Sequence, residues 1–123
     1  RPRLGAPMVF GLSAFVIARE TENEAQAALL RLSELAKLDA PIRVVQRANT
    51  DPYSVMAQTM SKTPRVGSNG GTAAGLVGSY DQVAERIRQF GEAGIELFML
   101  QFQPFEAEMR RFAAEIMPRV RRL

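Results

Sequence analysis

The sequence predicts a parallel α/β arrangement in the order strand, helix, irregular segment, helix, strand, helix. Three observations carry this. Residues 8–18 (MVFGLSAFVIA) and 95–102 (IELFMLQF) are β-rich and mostly apolar on both parities, as strands covered on both faces are. Segments with helical spacing of apolar residues lie between and after them, the alternation typical of βαβ construction. Residues 39–77, in contrast, carry no sustained period, and a segment of that length between regular elements is usually functional or disordered.

The first strand, Met8 to Ala18, follows two arginines, so the N-terminus superficially resembles a secretory signal. Gly11 and Ser13 interrupt its apolar run, and the run passes directly into an acidic helix start, which favours a strand. The chain begins at Arg1 without a methionine, and the expectation is a processed chain or an excised segment. Thr21 with Glu24 forms a capping-box pattern, and Glu22 and Glu24 suit the positive end of a helix. Ala25, Ala28, Leu29, Leu32, Leu35 and Ala36 then form one apolar stripe. Asp39-Ala40-Pro41 stops this helix, and residues 52–60 offer a short one with Val55, Met56 and Met60 on one side. Ser79 and Gln82 make a second capping-box pattern for a helix from Tyr80, with Val83, Ile87 and Phe90 on its apolar face and Gly91 or Gly94 at its end. The strand Ile95 to Phe102 follows. A last amphipathic helix, Phe105 to Val120, is expected to turn Met109, Phe112, Ala113, Ile116 and Met117 inward, and to end or bend at Pro118.

Composition narrows the chemistry. At 123 residues, with 46 % hydrophobic and 24 % charged residues, the chain has the size and balance of one globular domain. It has no cysteine, which excludes disulfides, thiolate nucleophiles and iron–sulfur ligands, and no histidine, which removes the usual general base and zinc ligand. No apolar run approaches the roughly 20 residues that span a bilayer. The net charge of +3 is modest, and Arg119, Arg121 and Arg122 at the C-terminus complement a helix dipole better than they form a nucleic-acid patch, since no aromatic residues interleave with them. Neither nucleic acid nor membrane is expected as a partner, and a cytoplasmic setting fits. Two strands covered on both faces need neighbours this chain does not supply. It therefore reads as part of a larger α/β domain or as a chain that pairs with another copy.

Two long segments, GLSAFVIARETENEAQ and LVGSYDQVAERIRQFGEAGIELFMLQFQPFEAEMRRFAAEIMPRV, resemble the C-terminal part of bacterial-luciferase-like flavin-dependent monooxygenases, in the branch of alkanesulfonate and dimethylsulfone monooxygenases. The resemblance covers nearly the whole chain. It implies the C-terminal portion of a TIM (β/α)8 barrel, with Met8 to Ala18 as the seventh strand and Ile95 to Phe102 as the eighth. The helices from Tyr80 and Phe105 become the seventh and eighth outer helices. Residues 19–77 become the insertion after the seventh strand, within which 39–77 is an irregular, mobile loop on the catalytic face. It further implies reduced FMN supplied by a separate NAD(P)H-dependent flavin reductase, and oxygenation by O2 of a small organosulfur substrate of sulfonate or sulfone type. The remaining barrel, or a homo-oligomeric partner, would complete the site, so the chain alone is expected to be inactive.

The resemblance places site residues at four positions. Arg65, before the run Gly67, Gly70, Gly71, Gly75, falls where the family carries an important loop arginine. A guanidinium there would bind cofactor and act in catalysis by stabilising developing negative charge, and the glycines would let the loop close. The alternative is a solvent-exposed arginine in a loop. The same glycines do not spell GxGxxG or a P-loop, so a phosphate cradle is not favoured. At the end of the last strand, Gln101 is placed to bind cofactor, and Phe102 and Gln103 to bind substrate. Gln103 stands where related alkanesulfonate enzymes have a tyrosine, and strand-end packing is the competing role. Tyr53 is either a pocket aromatic or a surface residue. Glu106 and Glu108 read as dipole-complementing carboxylates of a first helical turn, and Met56, Met60 and Met109 as core or interface residues. Two other functions remain open: a stand-alone interaction or assembly module, and a deazaflavin-dependent oxidoreductase of the same superfamily, the latter set back by the LVGSYD and FQPFEAE segments.

Overall fold

The architecture was taken from a computed structural model, which describes residues 5–39, 49–55, 58, 66–67 and 71–122. Strand β1 (Phe10–Phe15) runs parallel to β4 (Ile95–Gln101), in the register Leu12 beside Phe98, Ser13 beside Met99 and Phe15 beside Gln101. The chain then changes partner. Val16 N–H still donates to Gln101 O at 3.0 Å, but Ile17 N–H donates to Leu76 O at 2.9 Å, and β2 (Ile17–Arg19) pairs in parallel with β3 (Val77–Ser79). The single strand expected over 8–18 is thus one extended segment shared between two small sheets. β3 went unseen in the sequence because three residues are too few to display a period.

Both capping boxes form. Thr21 Oγ1 accepts from Glu24 N–H at 3.3 Å, and Glu24 returns the bond to Thr21 N–H at 3.0 Å, opening helix α1 (Glu22–Ala36). Ser79 Oγ and Gln82 do the same at 3.2 and 2.8 Å for α2 (Tyr80–Glu92). Each box satisfies amides that the first helical turn would otherwise leave unpaired.

Alternation along the strands separates two cores. On one face Ala14, Val16 and Ala18 pack with Leu76, Val83, Ala84, Ile87 and Ile116, and the Phe90 ring meets Phe98 edge-on, so α2 and the final helix cover this side. On the other face Phe15 and Ile17 pack with Ala25, Ala28 and Val66, so α1 covers only the end beyond Phe15. The rest of that face, with Gly11, Ser13, Leu97 and Met99 in register, is open: Leu97 is 56 % and Met99 62 % exposed.

The last helix departs from expectation in an informative way. α3 (Phe105–Arg111) passes through a π turn (Phe112–Ile116) into α4 (Met117–Arg122), so Pro118 neither ends the helix nor leaves it regular. Proline lacks an N–H, and its ring crowds the carbonyl four residues back. Widening the turn to i→i−5, seen in Met117 N–H donating to Phe112 O, relieves this one residue earlier. The extra residue rotates the apolar stripe. Ile116 is fully buried and Phe112 partly so, but Met109, Ala113 and Met117 are exposed, which corrects the inward assignment of those three. Glu108 is buried in their stead.

Candidate functional site

The open and covered halves of one sheet face meet at Phe15 and Gln101, the last residues of the two parallel strands. Ligands of parallel α/β sheets collect at this carboxyl end, and this step in coverage makes a mouth there. Gln101 is half-buried, on the same face as Met99 and Leu97. Above it lies Gly67, at φ +81°. A Cβ built there would stand 2.4 Å from Phe15 Cδ2 and 3.1 Å from Gln101 Oε1, so only glycine lets the backbone approach this closely. Val66, buried against Phe15, Ile17, Ala25 and Ala28, anchors that approach. Gly71, at φ +53°, closes the return. A Cβ there would lie 2.1 Å from Val66 O. The glycines of the irregular segment therefore serve close backbone contact at its described ends, and the turn Gly71–Ala74 that follows is packed rather than free.

The expected site residues separate in space. Arg65 lies outside the described residues, as do Met56 and Met60. Its sequence neighbour Val66 is the anchor just described. Gln101 sits at the mouth. Gln103 is exposed, before a cis bond to Pro104. Phe102 points to the opposite side from Gln101, its ring 5.6 Å from that of Phe112 and 6.4 Å from that of Phe105, among the outer-helix core. That is a packing position. Tyr53 is an exposed residue on a turn closed by Asp51, whose Oδ1 accepts from Tyr53 N–H at 2.9 Å.

A polar network joins the end of β2 to the last helix and to the start of α2, and includes Glu108, for which the sequence predicts only a helix-dipole role. Arg19, ending β2, donates from Nη1 to Glu108 Oε2 at 2.7 Å and to Ala18 O at 2.8 Å. Arg111 Nε lies 3.6 Å from Glu108 Oε1, and Arg111 Nη1 donates to Tyr80 OH at 3.2 Å. The Tyr80 bond comes first among the causes that hold the Arg111 guanidinium above its ordinary pKa, with Glu108 adding to it. The Arg119 guanidinium stacks 5.2 Å over the Tyr80 ring and donates to Asp81 Oδ1 at 2.9 Å. The signal for these residues was present but distributed. Arg19 and Glu108 both fall within the segments that carry the family resemblance, 89 positions apart, and only the fold brings them together.

A second concavity, of about 770 Å³, lies between α2 and the last helix, over Ala84 and Pro118. Its ionic groups are spent on one another or on neighbours, Arg119 with Asp81 and Glu115, and Glu85 with Arg88, and it faces away from the mouth on the outer layer. No group of acidic, histidine or cysteine side chains that could hold a metal occurs among the described residues, and none of their helices is long and apolar enough to cross a membrane.

The described residues thus form a parallel α/β unit with a mouth at its strand ends and half of one sheet face uncovered. Comparison with known proteins is specific. The chain is 32 % identical over 119 residues to the FMNH2-dependent dimethylsulfone monooxygenase of Pseudomonas fluorescens (strain Pf0-1), covering 92 % of this chain and 32 % of that protein. It is 31 % identical over 127 residues to the enzyme of the same name from Pseudomonas putida, covering 97 % and 34 %. It is 29 % identical over 133 residues to the sulfoquinovose monooxygenase of Novosphingobium aromaticivorans, covering 94 % and 36 %. These relatives are luciferase-like monooxygenases, and the chain is homologous to them over nearly its whole length. It spans about a third of the length of the curated relatives it matches. No family model matches the chain.

Proposed function

We propose that this chain is the closing segment of a luciferase-like barrel that uses reduced FMN and O2 to oxygenate a small organosulfur compound. The observation that carries the reading is the match of nearly the whole chain to two FMNH2-dependent dimethylsulfone monooxygenases. The open inner face supports it. Gly11, Ser13, Leu97 and Met99 are what a barrel wall presents to side chains from other strands, and β1 and β4 are its seventh and eighth strands. FMN reduced by a separate reductase supplies the activation of oxygen. The described residues give a planar heteroaromatic ring one edge of the mouth: Met99 and Leu97 offer exposed apolar surface beside the half-buried Gln101, while Gly67 packs directly on the buried Phe15 and closes the other side.

In this reading Gln101 orients the flavin or the substrate by hydrogen bonding, and Gln103 reaches substrate from the loop after β4. Arg65, the residue before Val66 in sequence, is the proposed guanidinium that holds negative charge as it develops. The segment around Gly67 excludes water when it lies over the mouth. Phe102 is assigned to packing, which leaves Gln103 as the substrate contact.

The chain joined to a complete luciferase-like barrel, supplied with FMN, NADH and a flavin reductase, is expected to consume dimethyl sulfone. The isolated chain is expected to show no micromolar FMN binding by fluorescence titration. Loss of neither substrate would defeat the reading if sulfoquinovose were also supplied. A second reading, an assembly module that pairs through its uncovered face, is favoured by the exposure of Leu97 and Met99. A stable compact oligomer of the isolated chain in sedimentation would select it.

A further inference from the structure

We propose that Glu108 is a positioning residue that holds the three chain segments leaving the mouth in one arrangement. Its effect on substrate rests on the oxygenase reading; its effect on the fold rests on geometry alone. The three segments are the exit from β2 into α1, the entry from β3 into α2, and the loop from β4 into α3. Arg19 ends the first, Tyr80 begins α2 at the second, and Glu108 lies one turn into the helix that ends the third, its own N–H donating to Pro104 O at 3.1 Å.

Glu108 is only 7 % exposed, and its two oxygens face in different directions. Oε2 accepts from Arg19 at 2.7 Å, while Oε1 faces Arg111 Nε at 3.6 Å, which has no hydrogen-bond partner and is held there by charge. Arg111 in turn donates to Tyr80 OH. One carboxylate thus ties β2 directly and α2 through one intermediate. A buried ion pair contributes little net stability compared with an apolar pair of the same volume, because desolvating the charges costs as much as their attraction returns. What it supplies is a fixed distance and direction. Here the fixed elements are the β2–β3 ladder, on which the Val66 and Gly67 seat rests through Ile17, and the Gln103–Pro104 loop next to Gln101. A shift of β2 against α3 changes the height of Gly67 over Gln101, and with it the width of the mouth.

The test compares Glu108→Gln, which keeps the size and removes the charge, with Glu108→Asp, which keeps the charge and withdraws it by one methylene. In hydrogen exchange of the 123-residue chain, both variants are expected to speed exchange of the Ile17 amide and of the β2–β3 ladder by about tenfold, with the β1–β4 ladder unchanged. In the complete barrel enzyme both are expected to raise the KM for dimethyl sulfone by about tenfold with kcat little changed, and the loss of a buried partner also lowers the thermal midpoint of Glu108→Gln. A merely structural role predicts less folded enzyme with the KM of the surviving enzyme unchanged. That outcome, wild-type exchange in both variants, or an unprotected β2–β3 ladder in the wild type, overturns the proposal. Wild-type KM in Glu108→Asp alone overturns it as well, since charge without position would then suffice. Should either Glu108 variant fail to fold, Arg19→Lys keeps the pair's charge but loses the planar fork, and the same exchange signature is expected of it. If the wild-type enzyme oxygenates no sulfone, the oxygenase reading fails while the exchange result still decides the positioning role.

Discussion

Three glycines with similar left-handed backbones but different neighbours isolate what seats the irregular segment at the mouth. Gly71 and Gly75 have φ of +53° and +73°. An L-residue in that region costs about 1–2 kcal/mol, so the backbone penalty is common to both alanine substitutions. At Gly75 a Cβ meets only the Arg86 side chain, at 3.7 Å, which is ordinary contact. At Gly71 it would lie 2.1 Å from Val66 O, a backbone atom that no rotamer change can remove. The Gly71 turn or the Val66 backbone must move, and Val66 then leaves its contacts with Phe15, Ile17, Ala25 and Ala28. Exposing a buried valine costs about 1.5–3 kcal/mol. Gly75→Ala is therefore expected to destabilise by about 1–2 kcal/mol and Gly71→Ala by about 2.5–5 kcal/mol. Urea unfolding followed by far-ultraviolet circular dichroism reads both. Equal losses in the two variants would refute the close approach of Gly71 to Val66, and with it the packed seat. Gly67→Ala falls between them, because its closest atom belongs to the Phe15 ring, which can turn aside.

Ser79→Ala removes the acceptor for Gln82 N–H and is expected to cost about 1 kcal/mol in the same urea experiment, with Thr restoring most of it. Glu85 is hydrogen-bonded by Arg88, which, as the largest cause, lowers its pKa below the ordinary glutamate value. A depressed carboxylate contributes stability above its unfolded pKa and loses it as pH falls through the folded one. Stability is thus expected to decline on acidification below the ordinary glutamate range, and Glu85→Gln to flatten that part of the curve in thermal melts taken across pH. The double variant Leu97→Lys with Met99→Glu places charge on the uncovered face. It is expected to reduce self-association of the isolated chain in sedimentation velocity while changing its helix content little.

Local chemistry made most of the fold legible. Both helix starts were fixed by side chains within three residues of the amides they satisfy, and the pairs Thr21 with Glu24 and Ser79 with Gln82 read directly from spacing. The illegible parts depend on contacts distant in sequence or on departures from ideal period. β3 exists because Leu76 and Val77 meet Ile17, a partner some 60 residues earlier, and three residues carry no period of their own. Met109, Ala113 and Met117 fit an inward stripe on an ideal 3.6-residue helix. The π turn over Phe112–Ile116 breaks that period for Ala113 and Met117, and Met109, on the regular turn before it, is exposed because the buried position there is Glu108. At the site, Gln101 followed from its place at a strand end, whereas Phe102, one residue on, necessarily points to the other face. Glu108 looked like a dipole partner because nothing local reveals that Arg19 will stand 2.7 Å away.

The division of one sheet face into a covered and an open half carries the functional argument further than either residue list. A sheet face left bare along its whole length would be an interface; one covered throughout would be a core. Here cover begins at Phe15, where α1 and Val66 arrive, and stops short of Met99. The polar group that falls at that boundary is the half-buried Gln101. Placing it at the edge of an apolar floor, beneath a backbone that only glycine allows to come so close, suits an amide that must meet a ligand entering from the open side. Replacing Gln101 with leucine extends the apolar floor without altering the cover. In the complete enzyme it is expected to weaken flavin or sulfone binding about tenfold or more, as the loss of one hydrogen bond at a desolvated site does. Unchanged FMN affinity together with unchanged sulfone KM would show that the boundary at Gln101 is only the rim of a core, and the ligand site would then lie on strands other than β1 and β4.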